Sequence, residues 1–210
     1  MDLYIVRHGE TEWNREEIFR GRSDVPLNGE GRRQAERAGL YFRGRRITRI
    51  VSSPLSRASE TAENIGRATG VAVEPLVELT DMTFGIWDGL LFREVAARHP
   101  DALAIWQNAP ERLRVEGGET LPAARERVSR CIEDIATGGS GAVAIVTHRV
   151  ICKLVILHCL NIGNEHFWDM QYDPASITRL TLNDGRFTLI SMNDTCHLIQ
   201  DAPTAGCRDF

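Results

Sequence analysis

The strongest constraint on the fold is the alternation of short apolar runs with segments of helical periodicity. Apolar residues cluster at residues 3–6, 47–51 and 142–146, and a polar turn follows each cluster. Between and after these clusters, apolar residues recur with the spacing of a helix that has one buried face. This order is typical of α/β proteins, in which helices cover both faces of a mostly parallel sheet. The sequence therefore predicts a three-layer α/β/α sandwich.

Several element ends carry local signals. Asn28 is expected to cap a helix, Gly70 to end another, and Asp184-Gly185 to form the turn of a hairpin. A helical period also runs from residue 90 to about residue 107. No repeat, low-complexity tract or linker divides the chain, so we predict a single domain over residues 1–210.

The charge pattern argues against some classes of function. The 25 basic and 29 acidic residues give a net charge of −4, which does not favour a nucleic-acid binder. Arginines are dense between residues 20 and 46, but acids are interleaved with them, and a solvated helix face is predicted there. No apolar run approaches the roughly 18 residues of a membrane span. We therefore expect neither a nucleic-acid nor a membrane partner.

The cysteine pattern bears on the cellular compartment. Five cysteines occur, an odd number without a CxxC pair, and no signal peptide precedes the first predicted strand. They are Cys131, Cys152, Cys159, Cys196 and Cys207, and the first three are expected to pack in the core. The pattern favours a reduced, cytoplasmic setting.

Polar side chains stand where three of the predicted strands end. Arg7 and His8 follow the first strand, Arg57 comes one turn into the helix after the second, and His148 follows the third. Ligands of such sheets bind at the carboxyl ends of the strands, so these four side chains are expected to converge. A metal site would need a third ligand, and the positive charge of nearby arginines would disfavour a cation. Phosphate chemistry, in contrast, uses both histidine and arginine. We therefore predict a phosphate site without a metal, in which a histidine can attack phosphorus.

An acid is also required, because a leaving alkoxide needs a proton. The stretch "ELTDMTFGIWDG" offers three carboxyl groups, those of Glu78, Asp81 and Asp88. The residues alone do not choose among the three.

Six motifs occur in a fixed order over about residues 3–155. They are "RHGETEWN", "F-x-G-x-x-D-x-P-L-N-x-x-G-x-x-Q-A", "SSPLSRASETA", "L-T-D-M-x-F-G-x-W-D-G", "GGET" and "VTH". Together they resemble the histidine phosphatase superfamily, also called phosphoglycerate mutase-like. Within it, the chain resembles the phosphatase branch of α-ribazole phosphatase and related broad phosphomonoesterases. The resemblance implies the phosphoglycerate mutase-like form of the α/β/α fold.

The resemblance also implies roles for particular residues. His8 would be phosphorylated during turnover, and Arg7, Arg57 and His148 would hold the phosphoryl group. Asn14 would add an amide donor to the same group.

The motif position of the family's proton donor is occupied by Asp81, with Glu78 as the fallback. Asp88 occupies the position of the glutamate in the family's W-E-G motif, and that residue is not the proton donor. Gly21 and Arg149 are weaker candidates for substrate contacts. Two residues depart from the family pattern: Asp81 is one methylene shorter than the usual glutamate, and Arg149 replaces a common glycine.

A lid over the site is expected at about residues 90–118, and only 67 residues separate Asp81 from His148. Family mutases carry a longer insertion there, so the short span favours hydrolysis. We predict a metal-independent phosphomonoesterase that acts on a small phosphorylated metabolite through a phosphohistidine, with no cofactor. The alternatives are a cofactor-dependent phosphoglycerate mutase and a non-catalytic protein that binds phosphorylated ligands. The sequence permits a homodimer without indicating one.

Overall fold

The computed structural model describes residues 1–138 and 141–199. In this part of the chain one six-stranded sheet has the order β3-β2-β4-β1-β5-β6. The strands are β1 (Asp2–Arg7), β2 (Ile47–Ser52), β3 (Val73–Pro75), β4 (Ala142–Thr147), β5 (Ile177–Asn183) and β6 (Arg186–Asp194). The first four are mutually parallel, whereas β5 runs antiparallel to β1 and β6 antiparallel to β5. The mostly parallel sheet confirms the predicted arrangement.

Helices cover both faces of this sheet. They are α1 (Glu12–Arg15), α2 (Gly29–Phe42), α3 (Ser56–Thr69), α4 (Phe92–Arg98), α5 (Pro100–Asn108), α6 (Leu121–Thr137) and α7 (Arg149–Cys159). Short 3₁₀ helices occupy Val77–Leu79, Gly85–Trp87, Pro110–Arg112, Asn164–Asp169 and Cys196–Leu198. None of the described helices is both long enough and apolar enough to cross a bilayer.

The two cores follow the alternation of side chains along each strand. Tyr4 and Val6 of β1 face the layer of α2 and α3, where they pack with residues such as Phe42 and Ile65. The neighbouring residues of β1 point the other way, into a larger core that contains α6 and α7. This arrangement confirms the predicted three-layer α/β/α sandwich.

The predicted element ends are confirmed in their geometry. The Asn28 side chain accepts a hydrogen bond from the Gly31 amide at the start of α2, at 2.8 Å. Gly70 ends α3 with a φ of +76°, a conformation that favours glycine. Asp184 and Gly185 join β5 to β6 with φ values of +50° and +75°, as a tight hairpin turn requires.

The helical period over residues 90–107 corresponds to two helices. α4 ends at Arg98, and His99 adopts a non-helical conformation with φ −136° and ψ 50°. Pro100 is the first residue of α5, where its missing amide proton costs nothing. A continuous helix is excluded because a proline disfavours helical backbone in the residue before it.

The cysteines lie largely as expected. Cys131, Cys152 and Cys159 are buried and free, which confirms their predicted place in the core. Cys196 is exposed. Cys207 lies outside the described residues.

The order of the strands decides where the chemistry is placed. β4 lies between β1 and β2, and all three run in the same direction. Arg7 pairs in register with Thr147, and Ser52 with Val146. The residues that follow these strands therefore emerge side by side at one edge of the sheet.

Candidate active site

His8 stands directly after β1 with its imidazole in a fixed orientation. Its amide donates to the Thr147 carbonyl at 2.9 Å, which ties it to the end of β4. Its Nδ1 lies 2.6 Å from the carbonyl oxygen of Gly9. Because a carbonyl oxygen only accepts, Nδ1 carries the proton and Nε2 presents a lone pair. A side chain on Gly9 would collide with Gly31, since a Cβ there would lie 2.4 Å from the Gly31 carbonyl oxygen.

The surroundings of His8 keep the ring neutral. Only 1% of the residue is exposed, and burial lowers its pKa well below the ordinary value. The neighbouring Arg57, His148, Arg7 and Arg20 lower that pKa further, in this order. A neutral imidazole with a free Nε2 lone pair is the form that can act as a nucleophile.

Arg57 and His148 form a fully buried pair next to His8. The Arg57 Nε donates to His148 Nδ1 at 3.2 Å, so the proton of the neutral His148 ring lies on Nε2. That Nε2 is 2.8 Å from the Ser53 hydroxyl. Arg57 also donates to the carbonyls of Ser23 and Gly21, at 2.8 and 3.1 Å. These contacts fix the guanidinium and leave two of its N–H groups for a ligand, since a guanidinium has about five in all.

His148 resembles His8 in its electrostatics. The two ring centroids are 5.2 Å apart. Burial, with help from the nearby Arg57, Arg20 and Arg7, lowers the pKa of His148 well below its ordinary value. Both histidines are therefore neutral at pH 7. The positive charges available to an anion at this site are those of the neighbouring arginines.

Arg7 is anchored at one end of its guanidinium. Its Nη1 donates to the Tyr172 carbonyl at 2.6 Å, while its buried Nε has no partner among the described residues. Burial, and then the charges of Arg20 and Arg149, lower the pKa of Arg7 to about 9. The side chain thus stays cationic at neutral pH and keeps a buried donor without a partner.

Asp81 is the carboxyl group that the fold brings to this cluster. Its Oδ2 lies 3.8 Å from Arg57 Nη2 and 3.9 Å from His148 Nδ1. Its Oδ1 accepts a hydrogen bond from the Met82 amide at 3.0 Å. Burial raises the pKa of this carboxyl. Arg57, Arg20 and the Met82 amide lower it by a smaller amount, so the pKa remains above its ordinary value. The raised pKa favours a protonated carboxyl, which is the form that can donate a proton.

The other two carboxyl candidates lie elsewhere. Glu78 lines a separate recess near the edge of the sheet, beside Arg127. Asp88 accepts from the Thr83 hydroxyl at 2.6 Å and from the Phe84 amide at 2.9 Å, which closes a local turn. Of the three carboxyl groups, the geometry thus favours Asp81 as the acid.

The backbone that carries Asp81 is held by two arginines. Arg127 donates to the carbonyls of Glu78 and Thr80, and it pairs through two nitrogens with Glu119, at 3.0 and 2.8 Å. Arg22 donates to the Asp81 carbonyl at 3.1 Å and to the same Glu119 carboxylate at 3.2 Å. This clamp was not predicted, because its members lie far apart along the chain.

Asn14 and Gly21 also reach the cluster. The Asn14 Oδ1 accepts from the amide and the hydroxyl of Thr11, at 2.9 and 2.8 Å, so its Nδ2 is the atom left for a ligand. Gly21 has a φ of +48°, and a Cβ there would lie 2.1 Å from the Asp88 carboxylate. The left-handed backbone and the nearby Asp88 carboxylate therefore favour glycine at this position.

A recess of about 630 Å³ opens over the cluster. Five of the predicted site residues line it: Arg7, Asn14, Gly21, Asp81 and Arg149. The other three, His8, Arg57 and His148, are at most 1% exposed and form a layer behind this lining. The fold therefore brings all eight predicted residues to one place.

Arg20 is a site residue that the sequence interpretation missed. The prediction of a solvated helix face is wrong for this arginine, because residue 20 lies in a loop between α1 and α2 and lines the recess. Its buried Nε has no partner among the residues described. Its position inside the F-x-G motif was the available signal. The aromatic lining by Phe19, Phe92, Trp106 and Trp168 was missed as well.

Comparison with known proteins places this arrangement in a family. The model of the histidine phosphatase superfamily (branch 1) matches residues 3–195. The chain belongs to this superfamily. The membership confirms the family and the fold that the ordered motifs predicted.

Three similar proteins illustrate the membership. Phosphoserine phosphatase 1 of Hydrogenobacter thermophilus is 29% identical over 197 residues, with 93% of each chain covered. The adenosylcobalamin/alpha-ribazole phosphatase of Escherichia coli K12 is 25% identical over 203 residues, covering 96% of this chain and all of the relative. The solved structure of mycobacterial glucosyl-3-phosphoglycerate phosphatase Rv2419c with VO3 superposes with a TM-score of 0.87 at 26% identity. That match covers 92% of this chain and 99% of the other.

Proposed function

We propose that the protein is a metal-independent phosphomonoesterase that hydrolyses a small phosphorylated metabolite through a phosphohistidine intermediate. The observation that carries the proposal is the neutral His8 ring with an available Nε2, set among arginines and close to a protonatable Asp81. Phosphatases with different named substrates are among the similar proteins, which supports hydrolysis of a phosphate ester.

In the first step, His8 attacks the phosphorus of the bound ester. A bond forms between Nε2 and phosphorus while the bond from phosphorus to the ester oxygen breaks. That oxygen takes the proton of the Asp81 carboxyl and leaves as an alcohol. Arg7, Arg57 and the Nδ2 of Asn14 hold the non-bridging oxygens, where fixed positive charge and hydrogen bonds stabilise the transition state.

In the second step, water hydrolyses the phosphohistidine. The water oxygen bonds to phosphorus as the bond to Nε2 breaks, and the Asp81 carboxylate receives a proton from the water. Inorganic phosphate leaves, and both side chains return to their starting states. Residues at the rim of the recess, such as Arg15, Gln107 and Arg149, are exposed, which supports access of water to the site.

The lid is assigned to about residues 90–118. This segment contains α4 and α5 and contributes Phe92, Trp106 and Gln107 to the recess. The four arginines of the segment, at positions 93, 98, 112 and 114, are exposed and do not line the recess. Lid side chains that contact the leaving group are therefore mainly aromatic.

The direct test is hydrolysis of p-nitrophenyl phosphate in the presence of EDTA. We expect turnover with the chelator present, and we expect His8→Ala to lower kcat by about a thousandfold or more. His158→Ala is the matched control, because His158 is a partly exposed histidine at the end of α7 that faces Glu133. Trapped phosphohistidine in the wild type, absent in His8→Ala, would identify the intermediate.

The role of Asp81 is tested by comparing two leaving groups. A nitrophenolate leaves readily without a proton, whereas an alkoxide does not, so Asp81→Asn should lower kcat/KM for an alkyl phosphate by about a hundredfold or more and affect kcat/KM of the aryl ester less. The comparison uses kcat/KM because this quantity excludes the later water step, in which Asp81 also takes part. Asp101→Asn, on the exposed side of α5, is the control. Equal losses on both esters would contradict a proton donor.

Two outcomes separate the proposal from its alternatives. Conversion of 3-phosphoglycerate to 2-phosphoglycerate, with a trace of bisphosphoglycerate, at a rate exceeding phosphate release would indicate a mutase. Binding of phosphate or vanadate without any turnover of the aryl ester would indicate a non-catalytic binding protein.

A further inference from the structure

The recess extends well beyond the groups that the phosphoryl transfer uses. Its volume of about 630 Å³ lies within the range of about 300–1,000 Å³ typical of sites for drug-sized ligands. In the proposed reaction the phosphate binds at one end, among the arginines and Asp81. The remaining lining is mixed, and it includes four large aromatic side chains, Phe19, Phe92, Trp106 and Trp168. This part of the recess faces the leaving group of the substrate.

The indole of Trp168 is fixed in place before any ligand binds. Its Nε1 donates to the Trp106 carbonyl at 2.8 Å. The Trp106 and Phe167 rings meet it edge to face, with centroids 5.2 and 4.9 Å away. The Lys153 Nζ lies 4.3 Å from the centre of the Trp168 ring. A side chain held on so many sides offers a flat surface without a further loss of rotamer entropy.

Phe19 and Phe92 form a second aromatic group in the lining. Their rings are nearly parallel, with planes 9° apart and centroids separated by 6.3 Å. Phe19 is also held edge to face by Phe84 and Trp87, at 5.1 and 5.3 Å. Phe92 remains 37% exposed. When a ligand covers an exposed aromatic side chain in a recess, the removal of its apolar surface from water favours binding.

Polar side chains also line the recess, among them Glu17, Gln107 and Arg149. Arg149 stands at the rim with its Cζ 5.9 Å from the centre of the Trp168 ring. Arg15 is engaged with Glu10 at 3.7 Å, so its charge is already partly compensated. A short, strongly polar leaving group would leave the aromatic surfaces in contact with water.

We propose that the preferred substrates carry an aromatic ring, or a comparably flat apolar group, that packs on Phe19, Phe92 and Trp168. This inference rests on the proposed phosphatase function and specifies the chemical class of its leaving group. Phosphate esters with small, charged leaving groups are then poor substrates, since they cover none of these rings.

The test compares 2-phenylethyl phosphate with ethyl phosphate. Both release an alkoxide, so a difference between them does not arise from the ease of P–O cleavage. Burial of one phenyl ring should raise kcat/KM by about tenfold or more. Phosphoserine is the third ester, and it should resemble ethyl phosphate rather than 2-phenylethyl phosphate.

Variants locate the preference in the recess. Phe92→Ala should reduce the ratio of the two kcat/KM values by at least about threefold, and it should cost little stability because Phe92 is 37% exposed. Trp168→Leu should reduce the ratio further. Ile105→Ala is the matched control, because Ile105 is 40% exposed on the adjacent α5 and does not line the recess.

The outcomes distinguish this inference from the function on which it rests. Turnover of p-nitrophenyl phosphate without any preference for the phenylethyl ester would overturn the inference and leave the phosphatase standing. The same holds if the preference survives in both aromatic variants. If none of the esters is hydrolysed, the inference and the proposed function are both overturned.

Discussion

Arg20 illustrates how a single side chain can matter without belonging to a helix or a strand. It lines the recess, and its buried Nε lacks a hydrogen-bond partner in the described structure. Burial lowers its pKa to about 10, the nearby Asp81 opposes that shift, and the side chain remains cationic at pH 7. A buried unpaired donor next to a phosphate site is stabilised when an anion binds.

Replacing Arg20 should therefore weaken the reaction. A hydrogen bond to a charged group contributes about 1.5–3 kcal/mol, so Arg20→Gln should lower kcat/KM for p-nitrophenyl phosphate by about 10- to 100-fold. Steady-state kinetics checks this expectation. The control is Arg43→Gln, an exposed arginine directly after α2. Unchanged kinetics in Arg20→Gln would show that this arginine does not contact the phosphate.

The sequence predicts the strand-end residues well and the loop residues poorly. Arg7, His8 and His148 follow apolar runs that are unambiguous strands, so the topology of a parallel sheet alone brings them together. Arg20 lies in a loop and Trp168 in a short 3₁₀ helix, and the positions of both depend on contacts with residues far along the chain. Such contacts leave no local pattern to recognise.

Residues 78–81 run from the end of a 3₁₀ helix into the loop after it, and contacts from other parts of the chain hold their backbone. Arg127, on α6, donates to two carbonyls of the segment, and Arg22 donates to a third. Both arginines share the Glu119 carboxylate, which holds them in place. This clamp explains how Asp81, with its short side chain, is kept 3.8 Å from Arg57.

If Asp81 is the proton donor, as we propose, loss of the clamp should impair proton donation in particular. Arg127→Gln should lower kcat/KM for an alkyl phosphate by about tenfold, because a displacement of about 1 Å in a reacting group is costly. The aryl ester should be affected less, since it needs no proton donor. The ratio of alkyl to aryl kcat/KM is the measurement, because a general loss of structure would lower both values together.

A matched control lies on the same helix. Arg130→Gln removes an exposed arginine that pairs only with Glu126, four residues earlier on α6. It should leave the alkyl-to-aryl ratio unchanged. An unchanged ratio in Arg127→Gln would instead show that Asp81 keeps its position without the clamp.

Element boundaries were predictable where a local signal determines them. Asn28 and Gly70 act within one turn of their own helix, so the sequence alone locates these ends. The break between α4 and α5 was not anticipated, because the apolar spacing continues across Pro100. There the proline geometry overrides the periodicity.

Across the whole molecule, the site is a cluster of ionisable groups buried at the edge of the sheet. His8 and His148 are 1% and 0% exposed, and both have pKa values well below the ordinary 6.5 through burial and nearby arginines. Near pH 6.5 the same two histidines begin to take up protons in the unfolded chain, whereas in the folded chain both rings stay neutral. Folding stability consequently depends on pH through the active site.

The sign of this dependence follows from the direction of the pKa shifts. A histidine whose pKa is lowered on folding binds its proton more readily in the unfolded chain. The free energy of unfolding is therefore highest above about pH 6.5 and falls as the pH drops below that value. Between pH 7.5 and 5.5 each histidine should account for a loss of about 1.4 kcal/mol in the free energy of unfolding, provided that it stays neutral in the folded state. Urea unfolding at the two pH values measures the loss.

The comparison that isolates the two histidines uses the double variant His8→Gln/His148→Gln. Its free energy of unfolding should fall by about 2–3 kcal/mol less than that of the wild type over the same pH interval. The remaining histidines, among them His158 and His197 with lowered pKa values, titrate in both proteins and cancel in the difference. Equal losses in the two proteins would mean that the folded chain accepts protons on His8 and His148 as readily as the unfolded chain does. In that case the neutral imidazole on which nucleophilic attack depends would not be maintained by the fold at mildly acidic pH.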